Sequence, residues 1–288
     1  MESMFHTYRK FFFFLAAVVI FQTNFVFSQS AQQIKQSREV PFTSELEDFY
    51  KNYFNHKLSN KDELNSFFTK AVDSSQNFSD EYSKNVHLAR CCYFYGQTLM
   101  EDYDVSSIED LDLNDSSNTE NVNEIAGKYF DKGIEYANTA VKIKSGSDSL
   151  SILSHLISAN CTAKNVAYIL FNGLKVRSYA KEAVNLDYSN GTAHFLVSAQ
   201  DAYAPKPFNR AQKARKEIFS YLEDDSIRKE EFDYFNLYST VGYTYSLNKN
   251  YEEAVEWYKK ALEIYPENVS TKKLLVKAQN KLASKTKA

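Results

Sequence analysis

The chain is poor in the residues that punctuate structure: of 288 residues only 7 are Gly, 4 are Pro, 3 are Cys and 1 is Trp. Few Gly and Pro means few tight turns, which argues against an all-β architecture and favours helices. Three cysteines, Cys91, Cys92 and Cys161, are too few and too irregularly spaced for a disulfide framework or a zinc site. Charge is nearly balanced, with 34 Lys and Arg against 37 Asp and Glu for a net −3, so bulk electrostatics supply no reason to expect a nucleic-acid partner. No glycine-rich phosphate loop, nucleophile elbow or two-histidine zinc helix occurs, and no cofactor, metal site or catalytic residue is expected. With 43% hydrophobic and 25% charged residues the composition is that of a folding chain.

The first residues read as a leader. His6, Arg9 and Lys10 precede an apolar run from Phe11 to Phe21, which Gln22, Thr23 and Asn24 interrupt. An uncharged run of 11 residues is short against the ~20 that a spanning helix needs. A signal peptide over 1–28, cut after Ser28 or Ser30, is therefore expected, with an uncleaved N-terminal anchor as the alternative. Cleavage would leave an exported protein, periplasmic or extracellular, without a membrane segment.

The most informative stretch is 235–268, FNLYSTVGYTYSLNKNYEEAVEWYKKALEIYPEN. Tyr238, Val241, Gly242 and Tyr245 share one helical face before a turn at 248–250. Ala254, Tyr258 and Ala261 form a second face, which Pro266 ends because it lacks an amide donor. This resembles a tetratricopeptide repeat, whose pattern asks for Trp, Leu, Gly and Tyr, then Ala, aromatic, Ala and Pro; Tyr238 in the Trp position is the departure. A single such hairpin leaves an apolar face that only a neighbour can cover, so more are expected. Weaker copies of its second helix recur at offsets of 121, 78 and 43 residues, with Gly133, Tyr136, Ala140 and Ile143, then Val176, Tyr179, Ala183 and Leu186, then Ala211, Ala214, Ile218 and Tyr221. First-helix partners are expected at Ser79 to Tyr103, Ser149 to Phe171 and Thr192 to Ala204.

Ahead of the array, over 42–78, Ser44-x-x-Glu47 and Asn60-x-x-Glu63 read as capping boxes that open two amphipathic helices. Behind it, a capping helix is expected over about 268–284, with Leu274, Leu275, Ala278 and Leu282 on one side. The expected organisation is thus a helical pair at 42–78, an all-α, right-handed solenoid at 79–268 and a capping segment at 268–288.

Two segments interrupt the pattern. From Glu101 to Glu124 there are nine acids and no Lys or Arg. Its faint likeness to a calcium loop lacks the turn glycine and terminal Glu, and it reads as a solvated insertion. Pro205-Lys206-Pro207 must stop a helix; it reads as a long interhelix turn, or as a corner that opens a cleft beside Tyr203, Phe208 and Arg210. His87, Cys91 and Cys92 share a helix and read as core residues, with a metal site as the alternative. The cysteines read as free buried thiols, or as one bridge from Cys161 to Cys91 or Cys92 if the compartment is oxidising.

The resemblance implies a scaffold that binds a protein or peptide in a preformed groove lined by first helices, without catalysis. Tyr203, Arg210, Asn236 and Tyr238 are the groove candidates. A solute-handling component of the kind associated with some periplasmic transporters, and an enzyme, are the alternatives.

Overall fold

The computed structural model describes residues 38–55, 61–100, 120–204 and 209–286. The leader at 1–28, the greater part of the acidic segment (101–119), His56, and Pro205 to Phe208 lie outside the described residues. Arg38–Ala288 forms one compact unit, and all that follows concerns it.

Eleven α-helices and no strand are found among the described residues: α1 Ser44–Phe54, α2 Lys61–Asp73, α3 Glu81–Leu99, α4 Glu120–Ile143, α5 Ser147–Ala163, α6 Val166–Leu186, α7 Gly191–Tyr203, α8 Ala211–Glu223, α9 Glu231–Leu247, α10 Tyr251–Ile264 and α11 Val269–Thr286. After the α1–α2 pair come four hairpins, α3–α4, α5–α6, α7–α8 and α9–α10, each helix packed on the next. First helices also pack on first helices, α3 on α5, α5 on α7 and α7 on α9. This is the all-α solenoid of helix pairs, closed by α11. Among the described residues no helix is long and apolar enough to cross a membrane.

Polar side chains start these helices by accepting the orphan amides of the first turn. Asp80 accepts from Ser83 N–H at 2.8 Å, Asn165 from Tyr168 N–H at 3.1 Å and Asn190 from Ala193 N–H at 3.1 Å. Three boundaries differ from expectation. Thr43, not Ser44, caps α1, its hydroxyl accepting from Leu46 N–H at 3.2 Å. The single helix expected over Ser149 to Phe171 is broken after Ala163, because the Asn165 cap restarts the chain as α6; Ala167 therefore belongs to a second helix. Residues 120–124, counted into the acidic loop, open α4, where acids suit the positive helix end and Glu124 pairs with Lys128 at 2.8 Å.

The repeat positions behave as a packing code. Ala140, Ala183 and Ala261, equivalent in three second helices, are all fully buried. Val241, Gly242, Ala254 and Tyr258 are buried, Tyr238 and Tyr245 are half-buried, and Pro266 is exposed beyond the end of α10. Gly242 is small because α9 meets Tyr258 there: a Cβ on it would lie 2.7 Å from the ring of a tyrosine with no exposed surface. Gly173, inside α6, has only Ile169 Cγ2 at 3.8 Å. Alanine is the better helix former by about 1 kcal/mol, so the two sites differ in sign. Gly242→Ala is expected to lower unfolding free energy by about 1–2 kcal/mol through overpacking, and Gly173→Ala to raise it by up to about 1 kcal/mol. Urea denaturation of the two variants checks this; stabilisation by both would contradict the close approach at Gly242.

Candidate functional site

The face carried by the first helices is where a partner is expected, and in this chain it is already covered. Residues 38–54, bent at Glu39 and Val40, extended at Thr43 and helical from Ser44, lie along it from α3 to the end of α10.

The non-helical part is held by charge. Val40 N–H donates to Asp148 Oδ2 at 2.8 Å, and Arg90 donates to the Val40 carbonyl at 2.7 Å. Arg90 and Asp148 themselves pair at 3.0 Å, with 6% and 2% of their side chains exposed. A buried ion pair must satisfy its remaining hydrogen-bonding capacity to offset its desolvation, and the backbone of Val40 does that on both sides. Burial pushes the Asp148 carboxyl up, but Arg90, Arg38 and the Val40 amide outweigh it and hold the group below the usual carboxylate range. Arg38 donates to Glu230 at 2.6 Å and lies 3.8 Å from Asp233, whose Oδ1 accepts from Thr192 at 2.8 Å. Asp233 is 1% exposed, and there burial wins and raises its pKa. Phe42 sits between the Arg38 and Arg90 guanidiniums, 4.7 and 4.6 Å from its ring centre, with Phe232 stacked at 5.9 Å.

The helical part is held by aromatics. Tyr50 meets Phe94 at 5.8 Å and Phe232 at 5.4 Å; Phe54 meets Phe235 at 5.2 Å and stacks on Tyr265 at 4.8 Å with planes 7° apart. Asn268 donates to the Phe54 carbonyl at 3.2 Å. Residues separated by 214 positions in sequence are thus joined. What space remains, lined among others by Arg38, Arg90, Asp148, His155, Thr192 and Asn236, is a cavity of about 40 Å³. That admits a water or two, against roughly 300 Å³ or more for a small-molecule pocket.

Of the four groove candidates, Asn236 lines this cavity. Tyr203 lies between helices, its hydroxyl 2.9 Å from Thr240 Oγ1 and its ring stacked on Tyr243 at 4.9 Å. Tyr238 packs within its own hairpin, 5.5 Å from Trp257. Arg210 turns to Asp201, a 2% exposed carboxylate that also takes Arg177 and Lys213 at 2.6 and 2.7 Å, and so ties α6, α7 and α8 together. Arg38, Arg90, Asp148 and Asp233 are not among the residues the sequence singles out; for Arg90, Asp148 and Asp233 the signal is charge set inside a helix.

The remaining candidate chemistry is structural. His87 Nε2 lies 2.6 Å from the Ala71 carbonyl and 3.2 Å from Ser74 Oγ, which locks α3 to the end of α2. All three cysteines are free thiols, so no bridge joins Cys161 to Cys91 or Cys92. Burial pushes Cys92 up to about 12 and Cys161 up to about 11, leaving both unreactive at neutral pH. Among the described residues no group of three His, Cys, Asp or Glu is placed to hold a metal.

Burial lowers the pKa of His87, His155 and His194, that of His155 to about 3, with Tyr93 Oη 2.7 Å from its Nε2. His155 is therefore neutral when folded and protonates on unfolding below its ordinary pKa of about 6.5. The unfolded chain binds the extra proton, so stability falls as pH falls through that value, and the lowered pKa values of His87 and His194 act in the same direction. A drop of about 1 kcal/mol from His155 is expected between pH 7 and 5.5, read as a lower urea midpoint and partly relieved by His155→Gln. Equal midpoints at the two pH values would contradict buried neutral imidazoles.

Comparison with known proteins gives one family match: the tetratricopeptide repeat model matches residues 235–268, which span α9 from Phe235 on, the turn, α10 and the residues up to the start of α11. No curated protein matches the chain.

Proposed function

From a chain that carries a tetratricopeptide repeat within an array of four helix pairs, we propose a scaffold that binds another protein, acts by contact and performs no catalysis. Repeats of this family generally bind proteins or peptides. The observation that carries the reading to this chain is the first-helix face: charged side chains grip both backbone polar groups of one residue, Val40, and an aromatic platform takes a helix beside it. Those are the means by which arrays hold polypeptide segments, through main-chain contacts for affinity and pockets for selectivity. A second feature supports contact with partners: Leu170, Phe171 and, one turn on, Leu174 of α6 are all more than 70% exposed, an apolar stripe unusual on a surface without a partner.

We place the scaffold outside the cytoplasm, in the cell envelope or beyond it, on the charged-then-apolar leader at the N-terminus. The cavity beside Asn236 lends nothing to solute handling, since its volume suits water.

Cross-linking in intact cells, followed by recovery of the full chain from fractionated material, tests both parts. The expected result is a shortened chain in the exported fraction, joined to a polypeptide partner, with the yield reduced at least fivefold by Leu170→Lys with Phe171→Glu. Recovery of the chain alone, at full length and in the cytosol, would contradict the reading.

A further inference from the structure

We propose that Arg38–Phe54 is an exchangeable occupant of the scaffold's peptide site. The site's external ligand is then a polypeptide segment of the same chemistry: a basic residue, a short non-helical stretch ending in an aromatic residue, and a helix with aromatics along one face. The inference rests on the scaffold reading and adds the ligand class and its control.

Three features separate this segment from an ordinary core element. The array addresses it as a peptide is addressed. Asp148 and Arg90 bind the N–H and C=O of Val40, groups that every residue but Pro offers, while selectivity lies in Arg38 and Phe42. The array also offers carboxylates to a cation that it does not itself contain: Asp148 is paired with Arg90, while Arg38 lies 2.6 Å from Glu230 and 3.8 Å from Asp233. Finally, α1 has 11 residues, too short to persist as a free helix in water. Release therefore unfolds it, and occupation of the site is folding coupled to binding.

The consequence is competition. A tethered segment acts at an effective concentration of about a millimolar or more, so an external segment binds weakly to the wild-type chain until the tethered one is weakened. The Leu170 stripe on α6 lies outside this contact and stays available throughout.

Two measurements on the full chain test the proposal. In the first, a labelled synthetic peptide with the sequence of residues 37–55 is titrated into wild-type protein and into a variant carrying Arg38→Ala and Phe42→Ala. These changes weaken the tethered segment and leave every array residue in place. The peptide is expected to bind the variant at least tenfold more tightly than the wild type, and a peptide that itself carries Arg38→Ala to lose at least tenfold of that affinity. A folded variant that binds no more tightly than the wild type overturns the proposal. In the second, native hydrogen exchange on the wild-type chain compares amides of Leu46–Phe54 with those of Leu150–Ser158 in α5. Exchange of the former at least tenfold faster, through an opening of their own, supports exchange of the segment. Identical protection means a fixed core element and overturns it, whether or not the variant folds. Neither measurement needs the natural partner, so absence of a recovered partner would count against the scaffold reading alone.

Discussion

The Arg90–Asp148 ion pair, closed over the peptide of Val40, is the contact on which the arrangement depends. Two charges with almost no exposed surface would leave donors and acceptors unmet if they faced only each other. The Val40 amide and carbonyl meet those needs, and Arg38 and Phe42 follow from where Val40 is fixed. Once the non-helical stretch is anchored at α3 and α5, the Thr43 cap starts α1 in a direction that carries Tyr50 and Phe54 to α9 and the end of α10.

This changes the mechanics of the solenoid. In a repeat array each unit contacts its neighbours only, and stability is close to a sum of local terms. Here one segment touches the first hairpin, the second and the fourth, with its last carbonyl held by Asn268 at the start of the capping helix. The ends of the array are coupled through its inner side, and unfolding is correspondingly more cooperative than nearest-neighbour packing alone would give. The same segment lies along the first-helix face of the array.

Most of the helical plan was legible because it is local. Ala140, Ala183 and Ala261 recur at one position of a short pattern, and their burial follows from the close approach of two helices. The match at 235–268 covers the same residues that spacing alone singled out. The break at Asn165 was not legible, since no Gly or Pro marks it and a side-chain cap supplies the stop and restart. Nor was the occupant of the inner face. Arg38, Arg90, Asp148 and Asp233 come from four separate places in the chain, and a cation in one apolar stripe does not announce which carboxylate in another will receive it. Of the groove candidates on either side of 205–208, Arg210 pairs with Asp201, and Tyr203 joins α7 to α9.

The central claim is a contact between the N-terminal segment and the far end of the array, and the Phe54–Tyr265 stack at 4.8 Å is its most direct expression. A double-mutant cycle with Phe54→Leu and Tyr265→Leu, read by urea denaturation, measures it. An aromatic pair in this geometry predicts a coupling energy of about 0.5–1.5 kcal/mol. Strict additivity of the two substitutions would mean that α1 does not lie on the last repeat, and would contradict the account.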